Sequence, residues 1–161
     1  VPLFKKLIIE KSKFLPITDK RMTRFWITLD EGVNFVLKSF QRMYGGETFI
    51  PKIPSIKITN LAKAMAPNLK IKHIGIRPGE KLHEQLISPS DSISTVKFKD
   101  KFFIFPQNSE LINVYTETFG DEVKKVENGF EYSSNTNKKF LTVPELIDII
   151  KSTVDPNFIP I

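Results

Sequence analysis

The chain has 161 residues, 40% of them hydrophobic and 11% aromatic, which is enough to bury a core without staples and falls within the single-domain range of about 100–200 residues. With 7 Gly, 11 Pro and 26% charged residues it is neither collagen-like nor disordered; the absence of cysteine excludes disulfide scaffolds, thiolate metal sites and cysteine nucleophiles, and suits a reducing cytoplasm. The net charge of +6 is uneven, since residues 1–84 carry 16 Lys/Arg against 7 Asp/Glu while residues 85–161 carry 8 against 11.

Pro2 opens a predicted helix running to about Lys13, because a proline near the start of a helix gives up an N–H that would be unpaired there anyway. Phe14–Thr18 reads as extended, since Pro16 cannot continue a helix, and Arg24–Leu29 as a strand. Asp30 stands where an N-cap belongs, ahead of Val33, Val36, Leu37, Phe40 and Tyr44. That spacing predicts a helix ending at Gly45-Gly46, with Glu47–Lys52 as the next strand. Ile58–Ala66 reads as a helix ended by Pro67, and Lys70–Ile76 as a strand leading to Arg77-Pro78-Gly79-Glu80. A brief helix is predicted over Lys81–Ile87, then a hairpin over Thr95–Phe105 with Lys99-Asp100-Lys101 at its turn. Residues 106–130 show no clear period and read as irregular. Thr142-Val143-Pro144-Glu145 is a capping box opening a last helix with Leu146, Ile149, Ile150 and Thr153 on one face. The fold class is α/β, with too few strands for a self-sufficient doubly wound sheet.

The usual chemistries are missing. His73 and His83, ten residues apart in a chain without cysteine, match no zinc pattern. There is no Gly-x-Ser-x-Gly elbow, and the seven glycines, at 32, 45, 46, 75, 79, 120 and 129, form no dinucleotide-binding loop. The residues four after Tyr44, Tyr115 and Tyr132 are Thr48, Phe119 and Thr136, so no Tyr-x-x-x-Lys pair occurs. No catalytic or metal-binding residue is assigned.

A basic half suits an anionic partner, or it simply solvates helix faces. The lysines are mostly single, without the clustered basic and aromatic stretches of nucleic-acid binders, which favours a localised phosphate over a polyanion. No apolar run approaches the ~20 residues of a membrane span, so neither nucleic acid nor membrane is expected as a partner. Against twenty lysines there are four arginines, Arg21, Arg24, Arg42 and Arg77. A planar guanidinium grips phosphate through two oxygens. Arg77 follows a predicted strand and precedes a Pro-Gly turn, and strand ends face the ligand crevice in open α/β sheets. The alternative for Arg77 is a surface ion pair with Glu80 or Glu84; for Arg24, beside Phe25-Trp26, it is a cation–π or surface role.

Ile76-Arg77-Pro78-Gly79-Glu80-Lys81-Leu82-His83-Glu84 resembles a motif of the CapD-like polysaccharide biosynthesis branch of the extended short-chain dehydrogenase/reductases. The segment Met22–Glu31 looks like the same family's approach to its substrate-side helix. Phe49–Ser55 is close to the form seen in inverting UDP-N-acetylglucosamine 4,6-dehydratases, and Tyr132–Asn137 with Leu141-Thr142 and Glu145-Leu146 is similar to their C-terminal signature. The resemblance covers nearly the whole chain and is weakest at 106–130.

It implies an NAD(P)-binding Rossmann-like fold of which residues 1–161 are the substrate-binding C-terminal portion, with the cofactor-binding half absent. A first residue of Val1 fits that expectation. The complete family enzyme is a cytoplasmic lyase using NADP: the sugar is oxidised at C4, water is lost across C5 and C6, and hydride returns to C6 with inversion at C5. It implies a UDP-N-acetylglucosamine or similar UDP-sugar partner, a homo-oligomer at full length, and a product used for pseudaminic acid, flagellin glycosylation or surface polysaccharide. This chain alone is then expected to bind no NADP and to be inactive. Carried over by motif position, Arg77 contacts the UDP diphosphate, Thr18 lines the nucleotide side, Asn137 lies near substrate, and Arg24 is a further diphosphate candidate. Glu80 orients Arg77. A UDP-sugar 4-epimerase fragment and a non-catalytic anion-binding module are the alternatives.

Overall fold

A computed structural model describes residues 1–107 and 110–161. The chain forms two compact units, Val1–Trp26 with Pro54–Glu84 and Ser134–Ile161, and Ile27–Ile53 with Gln85–Ser133. Among the described residues no helix is long and apolar enough to cross a membrane.

The first unit contains α1 (Pro2–Ile9), β1 (Phe14–Ile17), β2 (Thr23–Phe25), β4 (Ser55–Lys57), α3 (Ile58–Met65), β5 (Lys70–His73) and α5 (Val143–Thr153). β1 and β5 pair in parallel, with Phe14 opposite Lys70 and Ile17 opposite His73, so both strands end at the same edge. β2 and β4 pair antiparallel. Leu15 and Ile17 from β1, Ile56 from β4, Leu61 and Met65 from α3, and Leu146 and Ile150 from α5 make one apolar core. α1 stops four residues short of the predicted Lys13. Lys11 turns left-handed (φ 54°), and the amides of Lys11 and Ser12 reach back to Ile8 and Leu7 at 3.0 Å, closing the helix in a Schellman motif.

The second unit contains α2 (Leu29–Phe40), β3 (Thr48–Pro51), β6 (Gln85–Ile87), β7 (Thr95–Phe98), β8 (Lys101–Ile104), α4 (Leu111–Phe119), β9 (Val123–Lys125) and β10 (Tyr132–Ser133). β3, β8, β7 and β9 form an antiparallel sheet in that order, and β6 pairs with β10. Val96, Phe98 and Phe103 pack with Tyr115 of α4, and Phe49 joins them from β3. On the opposite side Phe102 meets Phe130 and Tyr132.

Five sequence expectations need correcting here. The strand at Arg24–Leu29 ends at Phe25, and the helix after it is capped by Thr28 rather than Asp30. The Thr28 hydroxyl accepts the Glu31 amide and the Glu31 carboxylate accepts the Thr28 amide. That helix ends at Phe40, before Gly45-Gly46. Lys81–Ile87 is not helical: the carbonyls of Lys81, Leu82 and Glu84 are claimed by Arg24, Thr23 and Ser134, so no i→i−4 ladder forms and β6 follows. The stretch read as irregular holds α4 and the edge strand β9; Asn108 and Ser109 within it lie outside the described residues.

Candidate functional site

The site is assembled in the first unit, where β1 and β5 end together. The Ile74 amide donates to the Ile17 carbonyl at 3.0 Å, carrying the ladder one step past β5 before the chain leaves as a loop. Arg77-Pro78-Gly79-Glu80 is a turn closed by the Glu80 amide on the Arg77 carbonyl at 3.0 Å. Proline presets φ at its second position, and Gly79 supplies the positive φ of 79° that its third position requires.

Glu80 then ties this turn to the strand ends. One carboxylate oxygen accepts the Arg77 amide at 3.3 Å and the other accepts the Thr18 hydroxyl at 3.2 Å. Thr18 and Arg77, 59 positions apart by their numbers, are thereby brought to one place. Arg77 itself is exposed, and neither ion pair weighed for it forms among the described residues: Glu80 holds backbone and Thr18, and Glu84 faces Arg24 and the Phe25 amide. The Arg77 guanidinium is therefore available to an anion at the C-terminal edge of two parallel strands. The expected role of Glu80 is realised through the backbone of Arg77 rather than through its guanidinium.

Beside Thr18, Asp19 accepts the Arg21 amide at 2.7 Å and two guanidinium contacts at 3.0 and 2.8 Å. These bonds hold the Asp19 carboxyl far below the usual carboxylate range. The Arg21 guanidinium is thus partnered, whereas that of Arg77 has no partner among the described residues.

Arg24 is engaged with its own fold. Its guanidinium donates to the carbonyls of Thr23, Leu82 and Lys81 at 2.7, 3.2 and 2.9 Å, and its Nε lies 3.5 Å from Glu84. It clamps the far end of the loop whose near end Glu80 holds. Asn137 stands against β4, its Nδ2 donating to Ser55 Oγ at 3.0 Å. Thr18 and Arg77 therefore meet, Arg24 braces their loop, and Asn137 supports a neighbouring strand.

A polar knot that sequence reasoning missed braces the same loop. Thr23 Oγ1 lies 2.8 Å from His83 Nδ1 and 2.7 Å from Ser134 Oγ, and Ser134, fully buried, accepts the Glu84 amide at 2.9 Å. Buried hydroxyls persist only where partnered. Ser134 lies inside the quoted Tyr132–Asn137 signature, which was the available signal.

The implied NADP finds no fitting cradle in these residues. β5 is followed by a loop and then β6, and β4 enters α3 directly with no glycine between them. Gly75 and Gly79 belong to the loop after β5, which opens no helix, so the described residues present no strand–glycine loop–helix element for a dinucleotide.

Residues 1–106 match the family described as polysaccharide biosynthesis protein. The chain is 55% identical over 157 residues to the UDP-N-acetylglucosamine 4,6-dehydratase (inverting) of Campylobacter jejuni, covering 95% of this chain and 47% of that one. It is 33% identical over 154 residues to the UDP-glucose 4-epimerase of Rickettsia canadensis, covering 93% and 44%. Among solved structures, Pen from Bacillus thuringiensis superposes with a TM-score of 0.75 at 29% identity, over 94% of this chain and 44% of that one. The chain spans about half the length of the relatives it matches.

Proposed function

The chain belongs to the polysaccharide biosynthesis protein family, and we propose that it forms the substrate-side portion of an NADP-dependent UDP-N-acetylglucosamine 4,6-dehydratase of the inverting type. The observation that carries this reading is the exposed Arg77 guanidinium, unpaired among the described residues, on a backbone held by the Pro78-Gly79 turn and Glu80 at the common end of β1 and β5. A diphosphate offers two anionic oxygens to such a fork, and Thr18 stands beside it as the strand-end hydroxyl. Arg24 acts here as a brace for the loop rather than as a second diphosphate grip, and Asn137 as a support for β4.

An identity of 55% to a dehydratase against 33% to an epimerase favours the dehydratase. Both relatives are named for UDP-sugars, so the diphosphate grip is common to either reading. On this reading the residues that oxidise and dehydrate the sugar lie in the part of the relatives that this chain does not match, and the described residues offer no strand–glycine loop–helix element for NADP. A nucleotide-sugar substrate fits work in the cytoplasm, feeding pseudaminic acid or another surface glycan.

Titration of the chain with UDP and with UDP-N-acetylglucosamine tests this reading by calorimetry. Arg77→Ala is expected to weaken binding by about 2 kcal/mol, roughly thirtyfold in Kd, as for loss of a charge-assisted contact. Arg77→Lys recovers only part of it, because a point charge replaces a fork. Equal affinity of wild type and Arg77→Ala rejects the assignment.

A further inference from the structure

The turn that seats Phe130 on the sheet of the second unit carries the only Asn-Gly pair in the chain, Asn128-Gly129. The Phe130 amide donates to the Glu127 carbonyl at 3.0 Å, which closes a turn with Asn128 and Gly129 at its centre. Gly129 has a φ of 79°, whereas Asn128 keeps out of the positive range. That is the pattern of a type II turn, whose third position calls for glycine. Nothing lies within 4 Å of where a Cβ on Gly129 would sit, so the backbone angle and not crowding demands the glycine.

A glycine after asparagine makes the side-chain amide labile, because no side chain hinders attack by the glycine nitrogen. In that reaction the Gly129 amide loses its proton to water and the nitrogen attacks Asn128 Cγ. A C–N bond forms, the Cγ–Nδ2 bond breaks, and Nδ2 leaves with a proton as ammonia. Water then opens the cyclic imide at one carbonyl or the other, leaving aspartate or isoaspartate. Asn128 and Gly129 are both exposed, so water reaches them.

The attacking nitrogen, however, is tied down. Its N–H donates to Ser92 Oγ at 2.9 Å, while the Ser92 hydroxyl places its own proton on the Pro89 carbonyl at 2.6 Å. With that proton committed, Ser92 faces Gly129 purely as an acceptor. Ser92 is 2% exposed, on the single helical turn Asp91–Ser94 that leads into β7. Ring closure requires the Gly129 nitrogen to give up its proton and to swing about the Asn128 Cα–C bond toward the side chain. Losing the proton breaks the bond to Ser92, and the swing opens the Glu127–Phe130 turn as well.

We propose that Asn128 is a latent deamidation site whose cyclisation is held off by the buried Ser92 hydroxyl. The turn demands the residue that makes Asn128 labile, and a side chain 37 positions from Gly129 quiets it. Conversion to isoaspartate lengthens the backbone between Glu127 and Phe130, whose ring lies 5.4 Å from that of Phe102, and so unseats part of the cover on that face of the sheet.

The test incubates folded wild type, wild type unfolded in urea, and Ser92→Ala at neutral pH. Peptide mapping follows Asn128 through the mass gain of amide to acid and through isoaspartate. Unfolding is expected to speed the reaction about thirtyfold, the rate equivalent of two hydrogen bonds, and Ser92→Ala about fivefold, that of one. Equal rates in folded and unfolded wild type overturn the proposal. So does a Ser92→Ala chain that still melts cooperatively and deamidates no faster than wild type. Amide hydrogen exchange reads the Ser92 contact without mutation: Gly129 is expected to exchange about tenfold more slowly in the folded chain than in urea. Equal exchange of Gly129 in the two states overturns the proposal even where Ser92→Ala fails to fold.

Discussion

α2 and α5 begin in the same way and are used differently. In each, a threonine hydroxyl accepts the amide of a glutamate three residues on, and the glutamate carboxylate accepts the threonine amide: Thr28 with Glu31, Thr142 with Glu145. Each carries an apolar stripe at helical spacing. α5 drives Leu146 and Ile150 completely into the core of the first unit, whereas α2 buries nothing. A capping box and a stripe thus decide where a helix starts and which side is apolar. What meets that side is decided elsewhere in the molecule.

The sharpest way to break this contrast is to cut the same residue type on both stripes. Leu146→Ala is expected to cost about 3 kcal/mol in urea unfolding, the sum of lost transfer and a residual cavity. Leu37→Ala in the 161-residue chain should change stability by less than about 0.5 kcal/mol, as exposed sites do. Comparable losses at the two sites would mean that α2 is covered in solution.

Removing the caps probes the same difference with a smaller effect. Thr142→Ala should lower global stability by about 1 kcal/mol, because α5 unfolds with the core it fills. Thr28→Ala should remove a similar local contribution yet leave the melting temperature in place, appearing only as faster amide exchange over residues 29–40. A melting temperature that falls equally in both variants contradicts this.

The smallest effect is in acid. Hydrogen bonds from the Thr142 amide and hydroxyl hold the Glu145 carboxyl below its ordinary value. A carboxyl whose folded value is depressed contributes stability above its unfolded value, near 4.3, and loses it as pH falls through the folded value. The melting-temperature gap between wild type and Glu145→Gln should therefore be flat from pH 8 to 5 and shrink below about pH 4. A gap unchanged at pH 3 would detach the cap from the titration. In the second unit Glu47 behaves in the same sense. Burial pushes its carboxyl up, but the Tyr115 hydroxyl and the amides of Tyr44 and Gly45 bring it net below the ordinary value.

Legibility varied along the chain with the range of the interactions involved. The α3 and α5 helices, the β7–β8 hairpin and the Pro78-Gly79 turn were readable because each depends on residues within a few positions of one another. The Thr28-x-x-Glu31 box was equally local and was passed over in favour of Asp30. α4 was readable in principle from Leu111, Tyr115 and Phe119, but its polar Asn113, Thr116 and Thr118 blurred the period. β6 was not readable at all. The carbonyls that would have made Lys81–Ile87 helical are bound by Arg24, Thr23 and Ser134, from segments about 50–60 positions away. At the candidate site, motif position singled out Arg77 and Thr18, and the structure brings the two together on Glu80. The distinction between an exposed Arg77, whose guanidinium has no partner among the described residues, and a loop-bracing Arg24 was not legible, since residue type is identical and only the neighbours differ.

By itself, then, the sequence determined local geometry and family: where α5 is capped, where the Arg77 turn lies, and which family the motifs resemble. Tertiary structure alone decided which polar groups were already taken. It committed the Arg24 guanidinium to carbonyls and Ser134 to a buried knot, while among the described residues the Arg77 guanidinium, the α2 stripe and the β3 edge stay open. The reason is physical: whether a donor or an apolar face is satisfied depends on groups distant in sequence, and no local pattern records them.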